Sequence, residues 1–114
     1  VRYRELKAED GGEKSSQVRK RVENARAKQK ERFKKTKIYC NAQMNSRQVQ
    51  KFCPINDECH QLLERAIDRY GISARGWTKI LKVSRTIADL EDSEEILPRH
   101  ISEALSYRIL DRFY

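Results

Sequence analysis

The stretch from Ile72 to Arg108, ISARGWTKILKVSRTIADLEDSEEILPRHISEALSYR, constrains the fold more than any other part of the chain. It reads as one long buried helix, a short extended link and a second helix. Ser73 is placed to cap the first helix, because its hydroxyl can accept from the free amides of the opening turn. From there Trp77, Ile80, Leu81, Val83, Ser84, Ile87, Ala88 and Leu90 fall on one side of a 3.6-residue period and make a wide apolar face. Arg75, Lys82, Thr86 and Asp89 are expected on the opposite face. Arg75 is the oddity, since the first turn of a helix favours an acid and mildly disfavours a cation. Free amides beside a guanidinium make an anion site; the alternative is an exposed arginine that costs a few tenths of a kcal/mol.

The rest of the chain also reads as helix. Ser15 or Ser16 is expected to cap a helix running to about Phe33, with a narrow stripe of Val18, Val22, Ala25, Gln29 and Phe33 among many cations. Thr36 to Asn45 is irregular. Asn45 or Ser46 caps a short turn, SRQVQKF, which Pro54 ends. Asn56 opens the next helix, whose apolar face holds Cys59, Leu62, Leu63, Ala66, Ile67 and Tyr70, and Gly71 closes it. Pro98 suits the first position of the last helix. The expected fold is therefore all-α, a small bundle of four main helices plus a short helical turn. At 114 residues the chain is long enough for one modest core.

Charge is divided unevenly. Residues 1–52 hold 16 Lys/Arg against 6 Asp/Glu, whereas residues 53–114 hold 9 against 11. The cluster Lys28, Lys30, Lys34, Lys35 and Lys37 could meet nucleic acid or a partner surface. A solvated face that also complements the negative end of its helix explains it equally well. Arg19 and Arg21 either reach a neighbouring subunit or are simply solvated. Three cysteines at irregular spacing frame no disulfide scaffold, and a cytoplasmic setting is expected. The longest apolar runs are only a few residues, so no membrane span or membrane partner is expected.

Candidate chemistry is sparse. Four glycines, none in a GxxxxGK[ST] arrangement, leave no phosphate-cradling loop, so the chain is not expected to hydrolyse ATP by itself. Cys40, Cys53, Cys59 and His60 lack the short CxxC pair of structural zinc sites, and no metal is expected. His100, in the first turn of the last helix, reads as a capping or packing residue. Trp77 belongs to the apolar stripe and reads as core. Arg85, at the edge of that stripe, either pairs with an acid such as Glu64 or Asp68 or faces a nucleotide.

An arginine at a helix start, then ILKVSRTIADLEDSEEI, then PRHISEALSYR, resembles the C-terminal lid of magnesium-chelatase-type AAA+ ATPases, closest to the competence protein ComM family. SSQVRKRVENARAKQKERF is similar to that family's first lid helix, and NAQMNSRQVQKFCPINDECHQLLERA to its continuation. The resemblance implies that residues 1–13 are a linker from an ATPase core, frayed or loosely attached after an edge strand, and that 14–114 are the lid. Since the chain starts at Val1, it is expected to be a piece of a longer protein. The resemblance further implies that Arg75 is the sensor-2 residue that contacts the γ-phosphate. ATP with Mg would be held by the whole protein and no cofactor by this chain alone. The implied partners are the upstream AAA+ core, neighbouring subunits of a homo-oligomeric ring, and DNA, with porphyrin metallation as the other activity in the wider family. The competing expectation is a stand-alone basic nucleic-acid-binding or adaptor module with no nucleotide role.

Overall fold

A computed structural model describes the backbone of residues 15–113 and the side chains of 15–108. The linker and edge strand expected before Ser15 lie outside the described residues. Five α-helices follow one another: α1 Ser15–Arg32, α2 Ser46–Phe52, α3 Asp57–Tyr70, α4 Ala74–Leu90 and α5 Pro98–Phe113, with a 3-10 turn at Asn41–Gln43 between α1 and α2. The expected all-α architecture holds, and no strand is present among the described residues.

Local chemistry explains most of the boundaries. The side chain of Asn45 accepts from the Gln48 amide at 2.8 Å while Gln48 accepts from the Asn45 amide at 3.0 Å, a reciprocal box that closes the start of α2. Asn56 caps α3 through the Cys59 amide at 2.9 Å, and Ser73 caps α4 through the Gly76 amide at 3.1 Å. Gly71 ends α3 in the left-handed region, at φ 63°, where glycine carries no side-chain penalty. Gly76 is needed for a different reason. A Cβ there would sit 2.8 Å from Cγ2 of Ile72, so the first turn of α4 closes directly onto the link from α3. At the far end, Asp92 takes the left-handed role at φ 61°. Ser93 then donates to the Ala88 carbonyl at 2.8 Å and Asp92 to the Asp89 carbonyl at 3.1 Å, the paired bonds of a Schellman ending.

α4 is the hub: α1, α2, the 3-10 turn and α5 all pack against it, and α3 packs against α5. Ile80, Leu81, Ser84 and Ala88 face the core, and Ile96, Ile101, Ala104 and Leu105 fill the opposing side. Ser84 is tolerated inside because its hydroxyl donates to the Ile80 carbonyl at 2.7 Å. The expected apolar face of α4 is thus buried in part, while Val83 and Leu90 emerge at its edge.

Asp89 corrects the sequence-based assignment of faces, because it is completely buried rather than solvated. Arg32 grips its carboxylate with two bonds, at 2.8 and 2.7 Å. Asn41 donates to it at 2.9 Å, and Arg85 lies 3.3 Å from it. α1 buries only Ala25 along its whole length, so it has little apolar surface with which to dock. Its attachment instead relies on this ionic clamp, on Phe33 just past its end, and on Lys28, which meets Asp92 at 2.5 Å. A carboxylate so enclosed is tolerable only because its oxygens are fully engaged.

Candidate functional site

Arg75 occupies the second position of α4, one residue past the Ser73-capped start. Its side chain is exposed and forms no hydrogen bond or ion pair among the described residues. It opens onto a cleft of about 630 Å³ between the start of α4 and the start of α2. Lys79 and Lys82 share that cleft, because positions four and seven residues on return to the same side of a helix. The remaining walls are Met44, Asn45, Ser46, Ala74 and Thr78, and no carboxylate lines it. Lys82 is steadied by donating to the Ala42 carbonyl at 3.2 Å. Three cations without an acid, beside the positive end of a helix of 17 residues, form a site whose electrostatics favour an anion.

Arg85 lies apart from this cleft. Its guanidinium is buried and donates to the carbonyls of Glu94 at 2.9 Å and Ser93 at 2.8 Å, besides its ion pair with Asp89. The expected pairing with Glu64 or Asp68 does not form; the acid four residues along its own helix takes that role. Burial lowers the Arg85 pKa, and the Asp89 carboxylate opposes the shift. Its Nε atom is buried without a partner. The carbonyls it grips belong to the link between α4 and α5, so Arg85 sets the turn from one helix into the next.

His100 has the capping role its position suggests. Its Nδ1 accepts from the Leu97 amide at 2.9 Å, which satisfies an open donor at the start of α5. Its Nε2 meets the Glu91 carboxylate, which ties the start of α5 to the end of α4. This hydrogen bond, aided by Arg99, lowers the pKa of Glu91. Trp77 is half-buried against the core.

The five lysines do not form one patch. Lys28 is drawn to Asp92, and Lys34 pairs with Glu31 at 2.5 Å. Lys30 and Lys34 line a groove with Arg26 and Tyr39, while Lys35 and Lys37 are exposed nearby. Arg19 is exposed. Arg21 lies with Val83, Leu90 and Tyr107 in a neighbouring groove, which Lys79 and Lys82 also line and which holds Glu91 and Glu103.

The cysteines stay separate: Cys53 and Cys59 are buried, Cys40 is half-buried, and all three are free thiols. Burial pushes the Cys53 thiol up to about 11, against the opposing pull of Arg85 and Arg32, and it also raises Cys59. Among the described residues no group of three or more His, Cys, Asp or Glu is arranged to hold a metal. None of the described helices is long and apolar enough to cross a membrane.

Known proteins share this arrangement of sequence. Competence protein ComM of Haemophilus influenzae is 44% identical over 103 residues, covering 90% of this chain and 19% of that protein. The YifB protein of Salmonella typhimurium is 42% identical over 101 residues, 89% of this chain and 19% of that protein. YifB of Escherichia coli is 41% identical over 101 residues. The chain thus spans about a fifth of the length of these relatives. The family described as magnesium chelatase, subunit ChlI C-terminal, matches residues 12–108, and the chain belongs to it.

Proposed function

We propose that this domain is the lid of an ATP-driven AAA+ motor and that Arg75 reports the state of the nucleotide. The observation that carries this proposal is the cleft at the start of α4, where Arg75 is exposed beside Lys79 and Lys82 and has no partner among the described residues, and where no carboxylate is in the lining. An unpaired guanidinium suits recognition of a phosphate by paired, charge-assisted hydrogen bonds. ATP with its magnesium, when bound, supplies the γ-phosphoryl group whose cleavage powers the cycle. The phosphate loop and acidic metal ligand belong to an ATPase core elsewhere in the protein, and this chain completes the site from the other side.

Arg75 binds and orients the terminal phosphate, and Lys79 and Lys82 add positive potential along the same face. The mechanical consequence follows from packing. α4 packs against α1, α2 and α5, so a pull on its first turn is passed to the rest of the domain. The excess of Lys and Arg in residues 1–52 favours a polyanion such as DNA as the polymer on which the motor acts.

The test is ATP hydrolysis by the full-length protein carrying Arg75→Ala. Loss of a positioned donor to the transferred phosphate lowers turnover by roughly 100-fold. Lys82→Ala, which removes charge without a forked donor, is expected to have a smaller effect. Wild-type turnover in Arg75→Ala would overturn the assignment.

A further inference from the structure

At the end of α1 a groove of about 620 Å³ combines cations with an exposed aromatic ring. Arg26 and Lys30 stand one turn apart near the end of α1, about 6 Å along its axis, and Lys34 follows in the turn just past the helix; all three line the groove. Among the described residues Arg26 and Lys30 form no ion pair or hydrogen bond, and Lys34 pairs with the exposed Glu31. Tyr39 also lines the groove and is 81% exposed, the most exposed of the large hydrophobic side chains among the described residues. Its ring has no partner among the described residues, but its backbone is held: the Tyr39 amide donates to Gln43 Oε1 at 2.7 Å. The Thr36 hydroxyl also donates to the Phe33 carbonyl at 2.8 Å, which pins the preceding turn. Phe33 and Ile38 contribute apolar surface to the same groove. No carboxylate lines it.

We propose that this groove binds single-stranded nucleic acid, with one base stacked on Tyr39 and backbone phosphates along Arg26, Lys30 and Lys34. The pairing of a basic track with a free aromatic ring is what single strands require, because their bases are open to stacking. A duplex conceals those faces and would use the cations alone. An acidic peptide would use the cations but gain little from the ring. The ring is presented from a pinned backbone, so less conformational entropy is lost on stacking. This site deepens the proposal that the whole protein acts on DNA, and it works without nucleotide or Arg75.

The experiment is fluorescence anisotropy of a labelled 20-mer of thymidylate with this chain, without ATP, compared with a hairpin duplex of equal charge and with poly-glutamate. The single strand is expected to bind more tightly than either. Three phosphate contacts imply an affinity that falls roughly 20-fold between 50 and 200 mM salt. Tyr39→Ala should weaken single-strand binding about 10-fold or more and Tyr39→Phe should retain it, as expected for stacking. Replacing Arg26, Lys30 and Lys34 together by Gln should flatten the salt dependence. Cys40 lines the groove and is the only half-exposed cysteine, so its alkylation should slow when the 20-mer is bound. Circular dichroism confirms that each variant is folded. Equal binding by Tyr39→Ala, a preference for the duplex, or equally strong binding of poly-glutamate would each overturn the site. None of these results would bear on ATP turnover, which tests Arg75 separately.

Discussion

α4 carries two arginines, one in its first turn and one in its second half, and the protein treats them in opposite ways. Arg75 stands in the first turn, exposed and unpartnered, in a cleft with two lysines. Arg85 sits further along the same helix, buried, with two backbone carbonyls and a carboxylate around its guanidinium. Residue type and helix are shared; what differs is the place along the helix and the opposing surface. Across from Arg85 lie the α4–α5 link and the end of α1, which supply acceptors and exclude water. Across from Arg75 lies a cleft whose described walls supply no carboxylate. A charge already met by fixed partners stabilises the fold, whereas an unmet charge retains its capacity to bind.

The comparison can be broken most severely at Asp89. Asp89→Ala leaves Arg32 and Arg85 facing each other without their shared carboxylate, and should cost about 3–5 kcal/mol in urea denaturation. A loss no larger than that of a surface substitution would show that the clamp contributes little. Next in size is Leu81→Ala, between the two ends. Leu81 is buried in the core, and opening a cavity there should cost about 2–5 kcal/mol by the same measurement. Gly71→Ala should cost about 1 kcal/mol through its positive φ alone, since nothing lies within 4 Å of the added Cβ.

A smaller effect belongs to the Glu91–His100 tie that follows the buried end. The folded pKa of Glu91 lies below its ordinary value of 4.5, so the unfolded chain binds the proton more readily. The resulting stabilisation is present above that value and is lost as pH falls through the folded pKa. Thermal melts from pH 6 down to pH 3 should show this loss, and Glu91→Gln should remove its pH dependence. An unchanged acid profile in Glu91→Gln would contradict the coupling.

These differences also explain what could be read from the sequence. Asn45, Asn56, Ser73, Gly71 and Pro98 act within a turn or two of their own positions, so their spacing alone marked the helix boundaries. Arg75 was visible for the same reason: a cation in a first turn is a local anomaly. Asp89 was not, because its principal partner lies 57 residues away in sequence. A helical wheel places an acid on the solvated side unless a distant cation is known to reach it. A local clue did exist, since Asp89 follows Arg85 by four residues and Leu81 by eight, which extends a buried row. Asn41 left no comparable mark. It lies in an irregular segment, yet it donates to Asp89 and Thr86 and accepts from Arg32. The lysine run looked uniform in sequence, but Lys28 turns toward Asp92 while Lys30 and Lys34 turn toward Tyr39.

The most direct test of the division within α4 is equilibrium urea denaturation of Arg75→Ala and Arg85→Ala, side by side in this chain. Arg85→Ala strands the Ser93 and Glu94 carbonyls and removes a buried partner of Asp89, so a loss of about 2 kcal/mol or more is expected. Arg75→Ala removes an exposed side chain without partners and should change stability by no more than about 0.5 kcal/mol. Equal losses in the two variants, or a larger loss for Arg75→Ala, would contradict the account.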